Sequence, residues 1–520
     1  MLWKKVFFVA GFGLATVQGF SQVPEDALRA SWNKISGTAR NQAIGGAGAS
    51  LGGDISSMFI NPAGIGMYKT NEFVLSPGFN FYSNDAQFRG TNTTATNSGF
   101  MLGTSGAVFG MPDRYRPNKS AAFAIGVNRT ADFRNKVSYQ GANNFSSFSE
   151  GYAAEIASSG LSLDDALNSS SISFPGRMAL YTYLVDTLTV PGGGTEVVGT
   201  PMRYAMLHDE GFELNQRNDI ETTGGITEIA LAYGGNSNNK FYWGFTFGLP
   251  IYNYKRSSTL TETDASGKTD NYFNTARLEE NYHAKGVGLN LKMGMIYKPV
   301  NSVRLGLAMH TPTLYGIRET YDATMYTDLE NYNAPTSVNV TSFNDGYLPE
   351  YRYDLVSPWR FMLSGSYMLN AVADTRQQRG FITADLEYVT YGSNRFYNGD
   401  PNSGNAANDY FTAVNNTIKA IYKGALNARV GGELKFNTLM ARAGFAYYGN
   451  PYRDKALDAE RLFISGGIGY RNRGFFVDLS YVHRISSDSD FPYRLSDKAN
   501  TYATINQTGG TVMTTFGFKF

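Results

Sequence analysis

The chain has 520 residues, 42% of them hydrophobic, with a formal net charge of only +1 and a mean hydropathy of −0.29. So even a balance leaves no electrostatic footprint for nucleic acid, and no nucleic-acid partner is expected. Cysteine is absent, which excludes both a disulfide framework and a lipoprotein anchor.

Residues 1–21 read as a secretory signal. Lys4 and Lys5 form a basic start, Val6 to Val17 is uncharged, and Gly19 and Ser21 are the small residues of a cleavage site before Gln22. The apolar run is short of the ~20 residues that span a bilayer, so it is not read as an anchor. The mature chain is therefore exported. No later uncharged run is long enough for a membrane helix.

Residues 22–70 do not read as a strand. Ala27 to Lys34 fits a short helix, followed by the small-residue run Ile44 to Asp54 and then Met58 to Ile65. Asn61 before Pro62 makes a turn there and ends any helix. Small residues allow close backbone packing, so the segment suits a compact plug inside a surrounding wall.

Residues 71–520 then supply β-rich runs near 72–83, 98–109, 120–133, 223–234, 240–254, 284–298, 302–318, 358–370, 380–391, 424–436, 438–448, 461–471, 474–485 and 510–520. Fourteen is an even number, as a single-chain bacterial barrel requires. Short turn-forming connections, such as 234–236, 299–301 and 437–438, alternate with long ones at 84–97, 134–222, 255–283, 319–357, 392–423, 449–460 and 486–509. That alternation is the asymmetry of an outer-membrane barrel, whereas a secreted β-sandwich, the alternative on composition, gives no reason for it. The 35 Tyr and 35 Phe suit interfacial girdles.

Strand faces follow from the period of two. Leu426, Ala428, Val430, Leu434 and Phe436 share one face, and Asn427, Arg429, Glu433 and Lys435 the other. Ile382, Ala384, Leu386 and Tyr388 oppose Asp385 and Glu387; Arg304, His310 and Arg442 also fall on polar faces. A cation facing lipid costs ~2–4 kcal/mol near the midplane, so the polar faces line the lumen. Arg304, Arg429 and Arg442 are then candidate partners for a ligand carboxylate, although cross-strand ion pairs are the simpler reading. Val512, Thr514, Phe516, Phe518 and Phe520 form one face of the last run. A barrel ending on Phe520 is expected to present that strand to the barrel assembly machinery. The expected fold is all-β: a 14-stranded antiparallel transmembrane β-barrel with a small N-terminal luminal hatch.

Gly45-Gly46-Ala47-Gly48, the acidic Asp54 and then Asn61-Pro62-Ala63-Gly64, ahead of fourteen strands, resembles the FadL-type outer-membrane transporters of long-chain fatty acids and other hydrophobic compounds. Phe123 to Asn128, Lys292 to Pro299 with Arg304 to Leu307, and Ser357 to Arg360 resemble further strands of that family. The resemblance implies a gate at Asn61, Pro62, Ala63 and Gly64. It also implies a lateral opening at a kink in the third strand, around Gly126, Asn128, Arg129 and Thr130. It implies a monomer in the outer membrane of a Gram-negative bacterium, in contact with its lipid and a hydrophobic small-molecule ligand. The 134–222 excursion departs from the family pattern, so ligand contacts do not carry over.

Gly48-Ala49-Ser50-Leu51-Gly52 matches Gly-x-Ser-x-Gly, but no parallel sheet surrounds it, and Gly/Ala/Ser-rich sequence matches that pattern by chance. The four histidines, His208, His283, His310 and His483, have no metal-binding spacing. No enzyme activity, metal or cofactor is expected. The expected function is passive uptake of a hydrophobic molecule, foremost a long-chain fatty acid, with the 134–222 loop as an apolar landing surface. The alternative is a surface interaction protein, an adhesin or partner-binding barrel, which gains nothing from an Asn-Pro-Ala plug.

Overall fold

The computed structural model describes residues 24–520 except 33, 191–192, 371–378, 401–404, 456 and 458. The signal assigned to 1–21 lies outside the described residues. Fourteen antiparallel barrel strands follow the hatch. In chain order they are β1 (Glu72–Leu75 with Pro77–Phe88), β2 (Thr91–Leu102 with Ser105–Pro112), β3 (Ser120–Asp132, continued by Asn135–Asn143), β4 (Leu214–Ser237), β5 (Phe241–Asp264), β6 (Thr275–Val300) and β7 (Val303–His310 with Leu314–Asp328). Then come β8 (Glu350–Val356 with Arg360–Leu369), β9 (Gly380–Val389 with Arg395–Asn398), β10 (Ala425–Phe436), β11 (Leu439–Tyr448), β12 (Arg461–Asn472), β13 (Phe475–Asp490) and β14 (Ala503–Lys519). The sheet closes because β14 pairs with β1, Lys519 opposite Glu72 and Met513 opposite Gly78. Asn71 and Phe520 exchange two backbone hydrogen bonds at 3.1 Å, which puts the start and end of the barrel on the short-turn side. Closure removes the aggregation edge that the apolar last strand would otherwise present.

The outward residues are apolar over the lower part of every strand: Phe245, Leu289, Leu363, Leu386, Val430, Ile468 and Phe516 are all exposed. Inward positions are polar and covered, among them Asn80, Glu228, Lys292, Asp385, Glu387, Arg442 and Asp478. A closed barrel with an apolar outside satisfies every backbone group without water, which is how strands cross a bilayer. No helix among the described residues is long and apolar enough to cross a membrane.

Several connections read as loops are strand. β1 and β2 run on through 84–97 to a tight turn at Arg89 and Gly90, both with positive φ. β5 and β6 likewise fill most of 255–283, leaving only 265–274 between them. These extensions stand above the apolar band, where the outward face is polar and apolar inward residues such as Phe88, Leu260 and Leu278 are interrupted by polar ones, so the alternation is weak.

The segment inside the barrel contains α1 (Pro24–Ser31), α2 (Ala39–Ala43), α3 (Ser57–Ile60) and a 3-10 helix (Pro62–Met67). Glu25 and Asp26 in the first turn of α1 and Arg29 in the last complement its dipole. On the long-loop side, α4 (Ser149–Ser159), α5 (Leu163–Asn168), α6 (Phe174–Tyr181) and α7 (Thr200–His208) form a cap. Phe148, Ile156, Ile172 and Met178 pack there with Leu260, Leu278 and Met325 of the strand tops. Of the apolar loop residues expected to form the landing surface (Phe145, Phe148, Ile156, Leu161, Leu163, Ile172 and Phe174), Phe145 and Leu161 are exposed, whereas the other five belong to or pack against the cap's own core. α8 (Asn405–Ile421) lies above β9 and β10 and turns Phe411, Val414 and Ile418 inward.

Candidate functional site

The hatch sits on a glycine-lined seat. Asn61 caps the 3-10 helix, its Oδ1 accepting from the Ala63 N–H at 3.1 Å. Its Nδ2 donates to Ala49 O at 2.6 Å and to the wall carbonyls Met295 O and Leu307 O at 3.3 and 3.4 Å. The wall lets it in because Gly294 has no side chain: a Cβ there would stand 1.9 Å from Asn61 Oδ1. Pro62 O occupies the equivalent space at Gly244, 2.3 Å from where a Cβ would be. Across the lumen, Ile44 O and Gly45 N press on Gly431 and Gly444 at 2.2 and 2.1 Å by the same measure. Ala63 and Gly64 are buried within this contact.

Polar side chains of the wall latch the seated backbone. Asp385 accepts from the Ala49 N–H at 3.1 Å and from Ser364. The Ser50 hydroxyl is bonded to Ser364 at 2.7 Å and to Ser366. His310 Nε2 meets Ile60 O at 2.9 Å, and Ser465 holds Gly45 N and Ala43 O at 3.0 and 3.1 Å. The Gly-x-Ser-x-Gly match is therefore part of a latch: the partners of Ser50 are wall serines, and the nearest latch imidazole is spent on Ile60.

The three luminal arginines have partners within the protein. Arg304 donates to Leu51 O of the hatch. Arg429 pairs with Glu387, and Arg442 with Glu433 at 2.7 Å and Asp478 at 2.6 Å. Arg429 and Arg442 thus form the cross-strand ion pairs of the simpler reading, and breaking such buried pairs costs about 3–5 kcal/mol. Arg304 meets a hatch carbonyl and no carboxylate within ion-pair distance among the described residues.

Above the seat the lumen turns aromatic. Ala27, Leu28 and Ala30 of α1 pack among Tyr252, Tyr254, Tyr315, Tyr353, Tyr391, Phe396 and Phe411. Arg29 stacks over the Tyr254 ring at 3.8 Å, and Arg360 donates to Ser31 O at the end of the helix.

The wall itself is open in one place. Ser105–Pro112 of β2 pairs with β3 from Ser105 opposite Val127 to Pro112 opposite Ser120. Higher up, among the described residues, Thr91–Leu102 pairs only with β1 and Asn135–Asn143 only with β4. Between them β3 carries a bulge, its register shifting between Arg129 and Ala131. The strand then leans inward, so that Val137 and Tyr139 pack under Ala86, Phe88 and Ile505. Thr130 is the bulged residue and Asn128 Nδ2 touches Ser36 of the hatch at 3.2 Å. Gly126 lies below, in the paired part, against Met58; Arg129 donates to Gly224 O.

Residues with no sequence signal close this gap. Asp132 accepts from Asn80 at 2.6 Å and lies 3.6 Å from Lys34 of the hatch, 3.4 Å from Arg129 and 2.9 Å from Arg134. Arg134 in turn donates to Phe100 O of the unpaired β2 edge at 2.6 Å and fills the space that a Cβ on Gly99 would occupy. Outside, a groove of about 640 Å³ runs past the same region, lined by Phe81, Thr96, Ser98, Lys136, Tyr481 and His483 among others.

Barrel, luminal hatch and wall gap together define the class: a plugged, membrane-spanning β-barrel of the outer-membrane type. No protein-family model matches the chain, and no curated protein matches it by sequence. Solved structures do match. A Pseudomonas aeruginosa FadL homologue aligns over 94% of this chain and 100% of its own, at 13% identity and a TM-score of 0.54. The Pseudomonas putida toluene transporter TodX (12% identity, 94% of this chain and 99% of its own) and the Ralstonia pickettii toluene transporter TbuX (14%, 94% and 99%) align at TM-scores of 0.49 and 0.45. The chain has the fold of the FadL homologue.

Proposed function

We propose that this barrel resides in the outer membrane of a Gram-negative bacterium and passively transports hydrophobic small molecules through its hatch. The observation that supports this most is the lumen's division into an aromatic chamber occupied by α1 above and a latched, removable seat below. An apolar guest displacing Ala27, Leu28 and Ala30 from the tyrosines would gain ~25 cal/mol for each Å² it buries. The Asp132 cluster ties the hatch, through Lys34, to Arg134 in the wall gap. Movement of the hatch would loosen that gap, giving a sideways exit near Thr130 and Asn128. A polar solute gains nothing from such a chamber.

Long-chain fatty acids are the first substrate class to test, with monoaromatic hydrocarbons, the cargo named for the toluene transporters, as the second. Since Arg429 and Arg442 are neutralised within the wall, binding near them needs no ligand carboxylate; Arg304, bonded to Leu51 O, is the remaining candidate partner for one. The test uses the chain's lack of cysteine. Ser50→Cys with Ser366→Cys, oxidised, should lock the hatch and abolish uptake of labelled oleate or toluene by whole cells, with recovery on reduction. Undiminished uptake in the cross-linked state would remove the hatch from the route. Loss of cell adhesion with no uptake phenotype at all would favour the interaction-protein reading instead.

A further inference from the structure

We propose that the outward face of β5–β8 holds a phosphorylated lipid of the leaflet on the long-loop side. The inference rests on the membrane-spanning reading of the barrel, and not on what it transports. On these strands the apolar band ends abruptly in cations. β6 passes outward through Leu289 and Val287 to Lys285; β7 passes from Leu314 across Gly316 to Arg318; β5 passes from Ile251 across Asn253 to Lys255. All three cations are exposed, as is Arg352 on β8. They are also in register. Lys285 stands directly opposite Arg318, and Arg318 directly opposite Arg352. Lys255 stands between Thr223 and His283, within electrostatic reach of the same imidazole as Lys285.

Like charges directly opposite one another on a sheet destabilise it, so such a row needs a counter-charge. The face supplies too little of its own. Glu350 is shared by Arg318 at 2.7 Å and Arg352 at 3.2 Å, and Asp354 stands opposite Gly316. For Lys255 and Lys285, no carboxylate lies within ion-pair distance among the described residues. The opposite wall differs: the outward face there continues through Leu426 on β10, Leu462 on β12, and Ile485 and Ser487 on β13. Charge is thus gathered on one side of the barrel, where general interfacial anchoring would spread it around the rim.

The chemistry selects the occupant. Lys and Arg offer charge-assisted hydrogen bonds to phosphate oxygens, and the exposed Ile251, Val287, Leu289 and Leu314 below them offer a bed for acyl chains. An anionic headgroup anchored above its own chains matches both surfaces at once. A free phosphate matches only the upper one.

The test is native mass spectrometry of the full barrel released from detergent with dimyristoyl phosphatidate, set against uncharged dimyristoyl glycerol. The wild-type protein should retain phosphatidate and not the glycerol lipid. Each lost cation should weaken retention about fivefold, so Lys285→Gln with Arg318→Gln should show a loss of at least tenfold. The control pair Lys119→Gln with Arg473→Gln, on the short-turn side, should show none. Unchanged heat-modifiable migration of each variant confirms that the barrel is intact. Equal phosphatidate retention by the Lys285/Arg318 variant overturns the proposal. So does millimolar inorganic phosphate displacing the lipid as effectively as excess phosphatidate, which would mark a plain anion site. Oleate or toluene uptake is measured in parallel and should be the same in both variants, so the transport reading stands or falls separately.

Discussion

The two halves of the lumen hold the N-terminal segment by opposite means. Below, hatch backbone meets wall backbone across glycines, with Pro62 against Gly244 and Ile44 against Gly431, and the contacts are fixed by polar latches. Above, α1 is held by large rings that surround it, Tyr252, Tyr315 and Tyr353 among them. The lower contact has no spare volume, and its bonds are directional. The upper one is broad and apolar, and it can exchange α1 for another apolar body. The proposed transport would need both kinds of contact, a gate that releases and a chamber that accepts apolar guests.

The largest effect is expected where the seat is filled. Gly294→Leu or Gly444→Leu places side-chain atoms where the Asn61 side chain or the Ile44–Gly45 backbone lies, so the plug cannot dock while the strands still close. Liposome-swelling rates with small sugars should rise at least tenfold, toward those of a chain lacking residues 22–66. Rates equal to wild type would mean that the hatch does not obstruct the lumen. Next comes the latch. Asp385→Ala leaves the Ala49 N–H and the Ser364 hydroxyl without their acceptor, at a cost of about 1–3 kcal/mol. Amide exchange at Ala49 and its neighbours should speed up by tenfold or more, with that of α1 unchanged. Arg134→Ala should act at the wall, raising the rate of substrate release into the bilayer several-fold without altering the leak of sugars.

A smaller effect is expected in the cap. Glu262 at the top of β5 accepts from Ser147, from the Phe148 N–H at 3.0 Å and from Gln216 at 2.6 Å. Burial pushes its carboxyl up to about 7. A carboxyl whose folded-state pKa is raised favours the docked cap while protonated. That contribution is complete below about pH 4.5 and is lost as pH rises through 7. Exchange at Phe148 should therefore accelerate by tenfold or more between pH 5 and 8, beyond the intrinsic rate, and Glu262→Gln should flatten the profile. The least effect is expected in the chamber: Leu28→Met conserves volume and should cost less than about 1.5 kcal/mol, with uptake within twofold of wild type. A Leu28→Met phenotype as severe as Gly294→Leu would erase the distinction between the two halves.

Strand number and strand faces were legible in the sequence because lipid imposes them locally. Every second residue from Leu426 to Phe436 or from Phe475 to Tyr481 must be apolar, whatever its neighbours are, and the turn at Asn61-Pro62 is likewise written in two adjacent residues. The upper extensions, 84–97 and 255–283, were not legible, since strand above the membrane has water on its outer face and only scattered apolar residues, such as Phe88, Leu260 and Leu278, on its inner one. Partner choice was not legible either. Arg429 and Arg442 read as inward cations with cross-strand ion pairs as the simpler account, but which carboxylates they take, Glu387 for one and Glu433 with Asp478 for the other, depends on register.

The wall gap marks the boundary most clearly. The sequence by itself determined a signal-like start, a glycine-rich hatch, fourteen amphipathic strands and an aromatic end, each a consequence of short-range pattern against a lipid solvent. Only the tertiary structure decided that Asn135–Asn143 leaves β2 and leans beneath β1, and that Asp132, beside Arg134 in the chain, gathers Lys34 and Asn80 from two distant segments. An inward lean has no local periodicity. It is fixed by which buried charges can find one another once the barrel has closed.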